Sequence, residues 1–419
     1  MSEPKPEIYW VTPRIPWPPR CGASLANCEL IRGMAELGYR IHLICFSERN
    51  LSQADSEMVM ASLGAATLRI HQWSILYRHP FLRRCLSILK SIFRSNIPLT
   101  AMHFTSSEIV RFVKGALLSR SPKFVLWDGL HPMGALFRKE LSQLKECINI
   151  YRAHNCETMI WAGYARSKSS PLTQLLRYQV ERMQRFESIC LREASAVAFV
   201  QESDLQCISQ ENQKKQVAAV VPISLPESPD TTPLQVKRWR RVNVSDTEVP
   251  DLQLLWLGGL NWWPNREGLE WFARSVWSPL CSLRPNVSLT LVGRGTEKIC
   301  FRSQDRVRAL GFVEDIESIF AEADLLVVPI LSGSGVRVKA LEALSQAVPC
   351  IGTPLGLSGV PPSGVFVAEE SSEWIHVLRV LSNRECFIQG MHGARAVRQL
   401  NSRKLCALRM DELLHRADH

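Results

Sequence analysis

The segment Pro329-Ile330-Leu331-Ser332-Gly333-Ser334-Gly335-Val336-Arg337-Val338-Lys339, with Glu342 just beyond it, gathers residue types suited to holding an anion. Glycines let a ligand approach the backbone, and the first turn of a following helix offers N–H groups at the positive end of its dipole. Arg337 and Lys339 add fixed cations to that setting. A diphosphate suits such a site, and the two cations would neutralise charge growing on it as it departs. Glu342 would accept hydrogen bonds from a ribose diol. The plainer alternative is an ordinary strand-to-helix loop with solvated basic residues. Crowding glycines, cations and an acid into one stretch speaks against it.

Other residues carry weaker signals. Gly293-Arg294-Gly295 follows an apolar run, but Lys298 stands where the dinucleotide fingerprint needs its third glycine, so a nicotinamide site is not expected. Arg294 is either a phosphate ligand or a surface arginine after a strand. Gly258 and Gly259 mark a tight strand exit or a ligand contact. His154, followed by Asn155 and Glu157, is the leading acid/base candidate, because imidazole titrates near neutral pH and the residue closes a buried apolar run. His131, beside Asp128-Gly129, is the second. Phosphate-binding cations reduce the need for a divalent ion, and no paired acids stand in a suitable loop. No metal and no cofactor are expected.

These residues need elements that position them. Ile8 to Thr12 reads as a buried strand, followed by a Pro-rich loop to Gly22, a helix from about Ser24 to Leu37 and a second strand over Ile41 to Phe46. Gly38 stands where a helix C-terminus wants positive φ, and the whole is a βαβ unit. Apolar runs at Phe124 to Trp127, Ile148 to Tyr151 and Ala196 to Val200 extend a doubly wound N-terminal half. The stretch 226–250 is polar and Pro-rich, with the basic cluster Lys237 to Arg241, and reads as a linker. A second alternation then starts with a strand at Gln253 to Leu257 and a helix from Asn265 to about Val276. Strands at Ser288 to Val292, Val307 to Leu310 and Leu325 to Val328 follow, with helices near Ile316 to Ala323 and Lys339 to Ser345. The expected class is α/β: two Rossmann-like parallel-sheet domains, 1–225 and 251–390, facing a cleft.

The 419 residues suffice for two such domains. Lys plus Arg number 50 against 40 Asp plus Glu, a net charge of +10 that favours anionic partners. Nucleic acid is not expected, since no binding module appears and no basic stripe is interleaved with aromatics beyond the linker. The 13 cysteines are odd in number and scattered, so reduced thiols in the cytoplasm are expected. The opening residues lack the continuous apolar core of a secretory signal, and no run is long enough to span a bilayer. The segment His79 to Ser95 places Phe81, Leu82, Leu86, Leu89 and Phe93 against Arg83, Arg84, Lys90 and Arg94 at helical spacing. It is either an amphipathic core helix or one that lies on an anionic membrane.

Gly333-Ser-Gly-x-Arg337-x-Lys339-x-x-Glu342-Ala-Leu, with Pro349, Thr353, Gly356 and Gly359, resembles the donor-binding segment of retaining GT-B glycosyltransferases of the glycogen-synthase-like group, family 4. Asp324 to Pro329 resembles the strand before that segment, and Leu310-Gly311-Phe312-Val313-Glu314-Asp315 resembles its base-contacting loop. Leu257-Gly-Gly-x-x-Trp262-x-Pro264-Asn265 is similar to the start of the donor domain. Thr12 to Gly22 and His154-Asn-Cys-Glu157 are similar to segments of exopolysaccharide and lipopolysaccharide sugar transferases. The resemblance implies transfer of a sugar from a nucleotide-diphosphate donor to a glycan, lipid-linked or small-molecule acceptor, with retention of configuration. It implies that Gly22, Gly258, Gly259, Arg294, Gly311, Phe312, Val313, Gly333, Ser334 and Gly335 face the donor. It also implies that helices after about residue 390 pack back on the N-terminal domain. Ser334 stands where many members carry a second glutamate, which leaves the backbone of Gly333 to Gly335 as the candidate holder of the sugar. It also leaves room for two rivals: a binding protein without turnover, and a nucleotide-sugar-processing enzyme such as an epimerase.

Overall fold

The computed structural model describes residues 5–19, 21–47, 51–72, 97–117, 122–137, 144, 146–166, 172–209, 217–227, 251–299 and 306–419. The segment His79 to Ser95 and linker residues 228–250 lie outside the described residues. The chain divides into two compact units, Met1–Pro226 with Arg403–His419, and Glu227–Ser402.

The first unit is built on seven strands: β1 (Glu7–Thr12), β2 (Arg40–Ser47), β3 (Ala65–Gln72), β4 (Phe124–Asp128), β5 (Ile148–Ala153), β6 (Ala196–Phe199) and β7 (Val217–Val220). They lie in the order β3-β2-β1-β4-β5-β6-β7, every neighbouring pair parallel. Both faces are covered, which is why β1 is apolar from Ile8 to Val11. Ile8 and Trp10 pack into one core with Leu30, Met34 and Leu413, while Tyr9 and Val11 pack into the other with Phe46, Trp127 and Phe186. The helix Gly22–Glu36 links β1 to β2, and Gly38 just beyond it takes φ 90°, as expected from its place.

The helix Arg403–Asp418 completes this unit. Arg403 bridges the buried Glu29 at 2.7 Å and Glu36 at 2.5 Å, and Met410, Leu413 and Leu414 join the core. The preceding helix, Asn383–Asn401, belongs to the second unit, so the chain returns at Arg403.

The second unit holds six strands, β8 (Leu252–Leu257), β9 (Val287–Val292), β10 (Val307–Gly311), β11 (Leu325–Val328), β12 (Cys350–Gly352) and β13 (Val365–Val367). Their order is β10-β9-β8-β11-β12-β13, again all parallel. Where one helix is expected from Asn265 onward, the chain forms an α-helix over Trp263–Phe272, a π turn over Ala273–Trp277 and a further helix over Ser278–Leu283. Leu269, Phe272, Val276, Trp277 and Leu280 all enter one core from this stretch, at the spacing of an ordinary helix face. β3 escapes a sequence reading because it is a half-exposed strand at the sheet edge, and β12 and β13 because they have only 3 residues each.

In both sheets the strand order reverses at the centre, between β1 and β4 and between β8 and β11. Loops leaving the carboxyl ends of strands diverge there, which makes these two points the natural ligand sites of the fold. Among the described residues, no helix is long and apolar enough to cross a membrane.

Candidate functional site

At the reversal point of the second sheet, β11 runs into the loop from Pro329 to Arg337 and then into the helix Val338–Ser345. The helix Trp263–Phe272 presses against this loop because Gly268 has no side chain; a Cβ there would lie 1.8 Å from the Pro329 carbonyl oxygen. Gly333 and Gly335 take φ of 112° and 82°, values that glycine adopts without strain. Ser332 Oγ donates to Glu267 Oε2 at 2.7 Å and ties the loop to the neighbouring helix. Arg337 is buried, its Nη1 donates to the Ser334 carbonyl at 3.0 Å, and its guanidinium lies 5.7 Å from the centre of the Trp262 ring. The position where the resemblance leads one to look for a glutamate is thus a buried serine whose carbonyl receives the arginine.

Lys339 Nζ donates to the Leu257 carbonyl at 2.7 Å and to Asn265 Oδ1 at 3.3 Å, and sits 5.3 Å from the Trp256 ring centre. Neither acceptor carries charge. Burial, and then repulsion from Arg337, push its ammonium down to about 7. Glu342, a turn further along the same helix, is pushed up by burial to about 7. Among the described residues no carboxylate lies against Lys339, and a cation so placed, next to a buried guanidinium and a glycine turn, gains from an arriving anion.

Gly258 and Gly259 close β8. Asn265 Nδ2 donates to the Gly259 carbonyl at 3.0 Å, and a Cβ on Gly258 would lie 2.5 Å from that nitrogen. Gly293, at φ 137°, packs so closely on Gly258 that a Cβ would meet its carbonyl oxygen at 2.0 Å. Arg294 lies over the exposed Phe312 ring at 5.4 Å, and the Gly311 N–H donates to Thr296 Oγ1 at 3.1 Å. Arg294, Gly311, Phe312 and the half-buried Val313 therefore gather beyond β9 and β10. The Leu260 N–H bonds the Arg294 carbonyl at 3.0 Å and links that group to the exit of β8.

At the reversal point of the first sheet the centre is an acid. Asp128 ends β4 directly opposite Arg152 on β5. Its carboxylate accepts from Arg152 Nη1 at 3.1 Å, Asn27 Nδ2 at 2.6 Å and Thr12 Oγ1 at 3.4 Å, and lies 2.8 Å from His154 Nε2. Burial pushes the Asp128 carboxyl up, but the charges of His154 and Arg152 and their hydrogen bonds outweigh it and leave it below its ordinary value. Arg152 is fully buried, and its Nε and Nη2 have no acceptor among the described residues.

Gly22 opens the helix Gly22–Glu36 after Cys21, whose N–H donates to Ser24 Oγ at 3.1 Å. Glu157 starts the helix Glu157–Arg166, where burial raises its carboxyl to about 7 against the opposing Asn155 hydrogen bond and His154 charge. The buried Glu187 caps that helix, accepting from the Glu157 and Thr158 N–H groups at 2.9 and 3.1 Å. Burial holds His131 down to about 4, so it is neutral near pH 7 and poorly matched to proton transfer there.

The structure thus groups Gly258, Gly259, Gly333, Ser334, Gly335, Arg337, Lys339 and Glu342 around one reversal point and places His154 at the other. The sequence reading omits Thr12, Asn27, Asp128 and Arg152, as well as the Trp262 and Asn265 side chains. One signal was present: charged residues closing otherwise apolar runs, as in Phe-Val-Leu-Trp-Asp128 and Ile-Asn-Ile-Tyr-Arg152.

Residues 251–383 match the family model described as Glycosyl transferases group 1. No curated protein matches the chain. Among solved structures it is similar to sucrose-phosphate synthase from Thermosynechococcus elongatus, with 14% identity and a TM-score of 0.66 over 98% of this chain and 99% of that one. It is also similar to Anabaena HepE in complex with UDP and glucose, with 13% identity and a TM-score of 0.57 over 98% of this chain and 100% of that one. A glycosyltransferase from Rickettsia africae ESF-5 is similar at 13% identity and a TM-score of 0.58, over 99% of this chain and 98% of that one. At these identities the likeness is one of fold. The two parallel-sheet units are those of the GT-B architecture, and the second of them contains the stretch that matches the Glycosyl transferases group 1 model.

Proposed function

We propose that this protein is a glycosyltransferase that takes a sugar from a nucleotide-diphosphate donor bound at the β8/β11 reversal point, with retention of configuration. The observation that carries the reading is the pair Arg337 and Lys339, held beside the Gly333 to Gly335 turn without a carboxylate to neutralise Lys339, inside the region that matches the glycosyl transferases group 1 model. In this reading the turn admits the diphosphate, and Arg337 and Lys339 stabilise the charge it gains as the glycosidic bond breaks. Glu342 bonds the ribose diol. Arg294 and the Gly311 to Val313 loop lie on the base side, and Gly258 and Gly259 let the donor approach the exit of β8.

The first unit supplies the acceptor side, with Gly22 in its opening loop and His154 at its reaction centre. Asp128 bonds the His154 ring at Nε2 and so fixes its orientation. The acceptor class is a glycan, a lipid-linked sugar or a small molecule. The setting we propose is cell-surface polysaccharide synthesis in the cytoplasm, with peripheral contact to an anionic membrane. HepE has been solved with UDP-glucose, which makes that compound the first donor to try.

Donor hydrolysis and transfer across a panel of nucleotide sugars tests the reading. Turnover that falls on substitution of Lys339 is expected. Tight donor binding with no turnover on any acceptor would favour the binding protein that Ser334 leaves open, and interconversion of the sugar would favour an epimerase.

A further inference from the structure

We infer that Asn265 is a positioning residue: its neutral amide holds Lys339 at the exit of β8 so that the ammonium keeps its charge for a diphosphate. This rests on the donor site proposed above. The amide is oriented by its own hydrogen bonds. Nδ2 donates to the Gly259 carbonyl at 3.0 Å, so Oδ1 is the atom turned to Lys339 Nζ, 3.3 Å away. Gly258 makes this possible, since a Cβ there would stand 2.5 Å from Nδ2. Asn265 itself is fixed near the start of the helix Trp263–Phe272, which Gly268 allows to lie against the Pro329 carbonyl.

Every group against the Lys339 ammonium is either uncharged or positive. Leu257 offers a carbonyl, Asn265 an amide oxygen and Trp256 a ring face. Cys350 is a buried thiol whose pKa burial raises, so it stays protonated. Arg337 repels. From the neighbouring helix, Arg266 turns away to the Leu260 carbonyl at 2.8 Å and Glu267 is engaged by Ser332 at 2.7 Å. Glu342 on its own helix is pushed by burial to about 7. Among the described residues, two of the three ammonium donors have acceptors, which leaves one to offer a ligand. An aspartate at position 265 would occupy the same space and spend the lysine's charge in an internal pair.

The test is calorimetric titration with UDP from pH 6 to 9 on the full chain, using wild type, Asn265→Asp, Asn265→Ala and Lys339→Met. Wild-type affinity is expected to fall above about pH 7, approaching tenfold per pH unit, as Lys339 discharges. Lys339→Met supplies the baseline, because it keeps the titrations of UDP and of Glu342, which burial also pushes to about 7, and lacks that of Lys339. Asn265→Asp is expected to weaken binding roughly tenfold at pH 7 and to move the break to higher pH. Asn265→Ala, which removes an acceptor, is expected to weaken binding and move the break lower. A purely structural role would not shift the break in opposite directions. Thermal unfolding of each variant accompanies the titrations. Wild-type affinity and an unmoved break in both Asn265 variants would overturn the inference, while weakened binding in Lys339→Met, and in Arg337→Ala titrated beside it, would show that the donor site itself stands. Unchanged UDP binding in those last two variants would overturn the donor site and this inference together.

Discussion

The two reversal points occupy equivalent places in their sheets yet hold opposite electrostatic designs. In the first unit a buried carboxylate, Asp128, is saturated by Arg152, His154, Asn27 and Thr12. In the second, the ammonium of Lys339 rests on a carbonyl, an amide and an aromatic face, with no carboxylate against it among the described residues. A balanced network spends its interactions on holding its members in place; an unbalanced one keeps part of its interaction energy for a ligand. In the function proposed above, that contrast separates a centre that orients His154 from a centre that receives the donor's diphosphate.

The largest effect expected is on stability at the balanced centre. Asp128→Ala leaves Arg152 buried without a counter-charge and should cost the first unit about 3–5 kcal/mol, read from its urea unfolding transition. Asp128 has a depressed native pKa, so its contribution is present above its unfolded value near 3.8 and lost as pH falls below that through the native value. A loss under 1 kcal/mol would mean that the network is not what holds these strand ends.

At the unbalanced centre the same kind of deletion should act the other way. Lys339→Met should lower kcat/KM by about 10²–10³, the cost of one transition-state charge donor. It should also raise stability by about 1–2 kcal/mol near pH 6, since a half-buried amine no longer has to be charged. The sign follows from its native value of about 7 against an ordinary 10.5. The unfolded chain binds more protons between those limits, so the penalty is full below about 7, shrinks as pH rises and is gone above 10.5. A variant less stable than wild type at pH 6 would show that Lys339 is internally compensated.

His154→Ala is expected to reduce kcat by about 10²-fold with little change in donor KM, because it acts at the orienting centre. Equal turnover in the variant removes His154 from catalysis. The smallest effect expected is that of Gly333→Ala: at φ 112° an alanine costs about 1–2 kcal/mol of local strain, so the unliganded unfolding temperature should drop by about 2–8 °C and the thermal shift by UDP should diminish.

Much of the second centre was legible in the chain because it is local. A strand, a glycine turn and a helix follow one another from Leu325 to Ser345, and the conformations that Gly333 and Gly335 must take are written in their lack of a side chain. The alternation of strand and helix also announced both parallel sheets, since strands buried on two faces are apolar throughout. The π turn at Ala273–Trp277 was not announced, because the buried Leu269, Phe272, Val276, Trp277 and Leu280 keep the spacing of an ordinary helix face across it.

What the sequence by itself determined is therefore the strand, glycine turn and helix that carry Arg337, Lys339 and Glu342, and the two-sheet class that holds them. What only tertiary structure decided is who stands beside whom. Asp128 meets Arg152 because parallel register sets β4 against β5, and it meets Asn27 because the helix after β1 packs over the same strand ends. Lys339 meets Asn265 across 74 positions because Gly268 lets two elements touch. Spacing along a chain encodes the period of one element at a time. Charge balance is a sum over neighbours in space, and those neighbours exist only after the strands are paired and the helices packed.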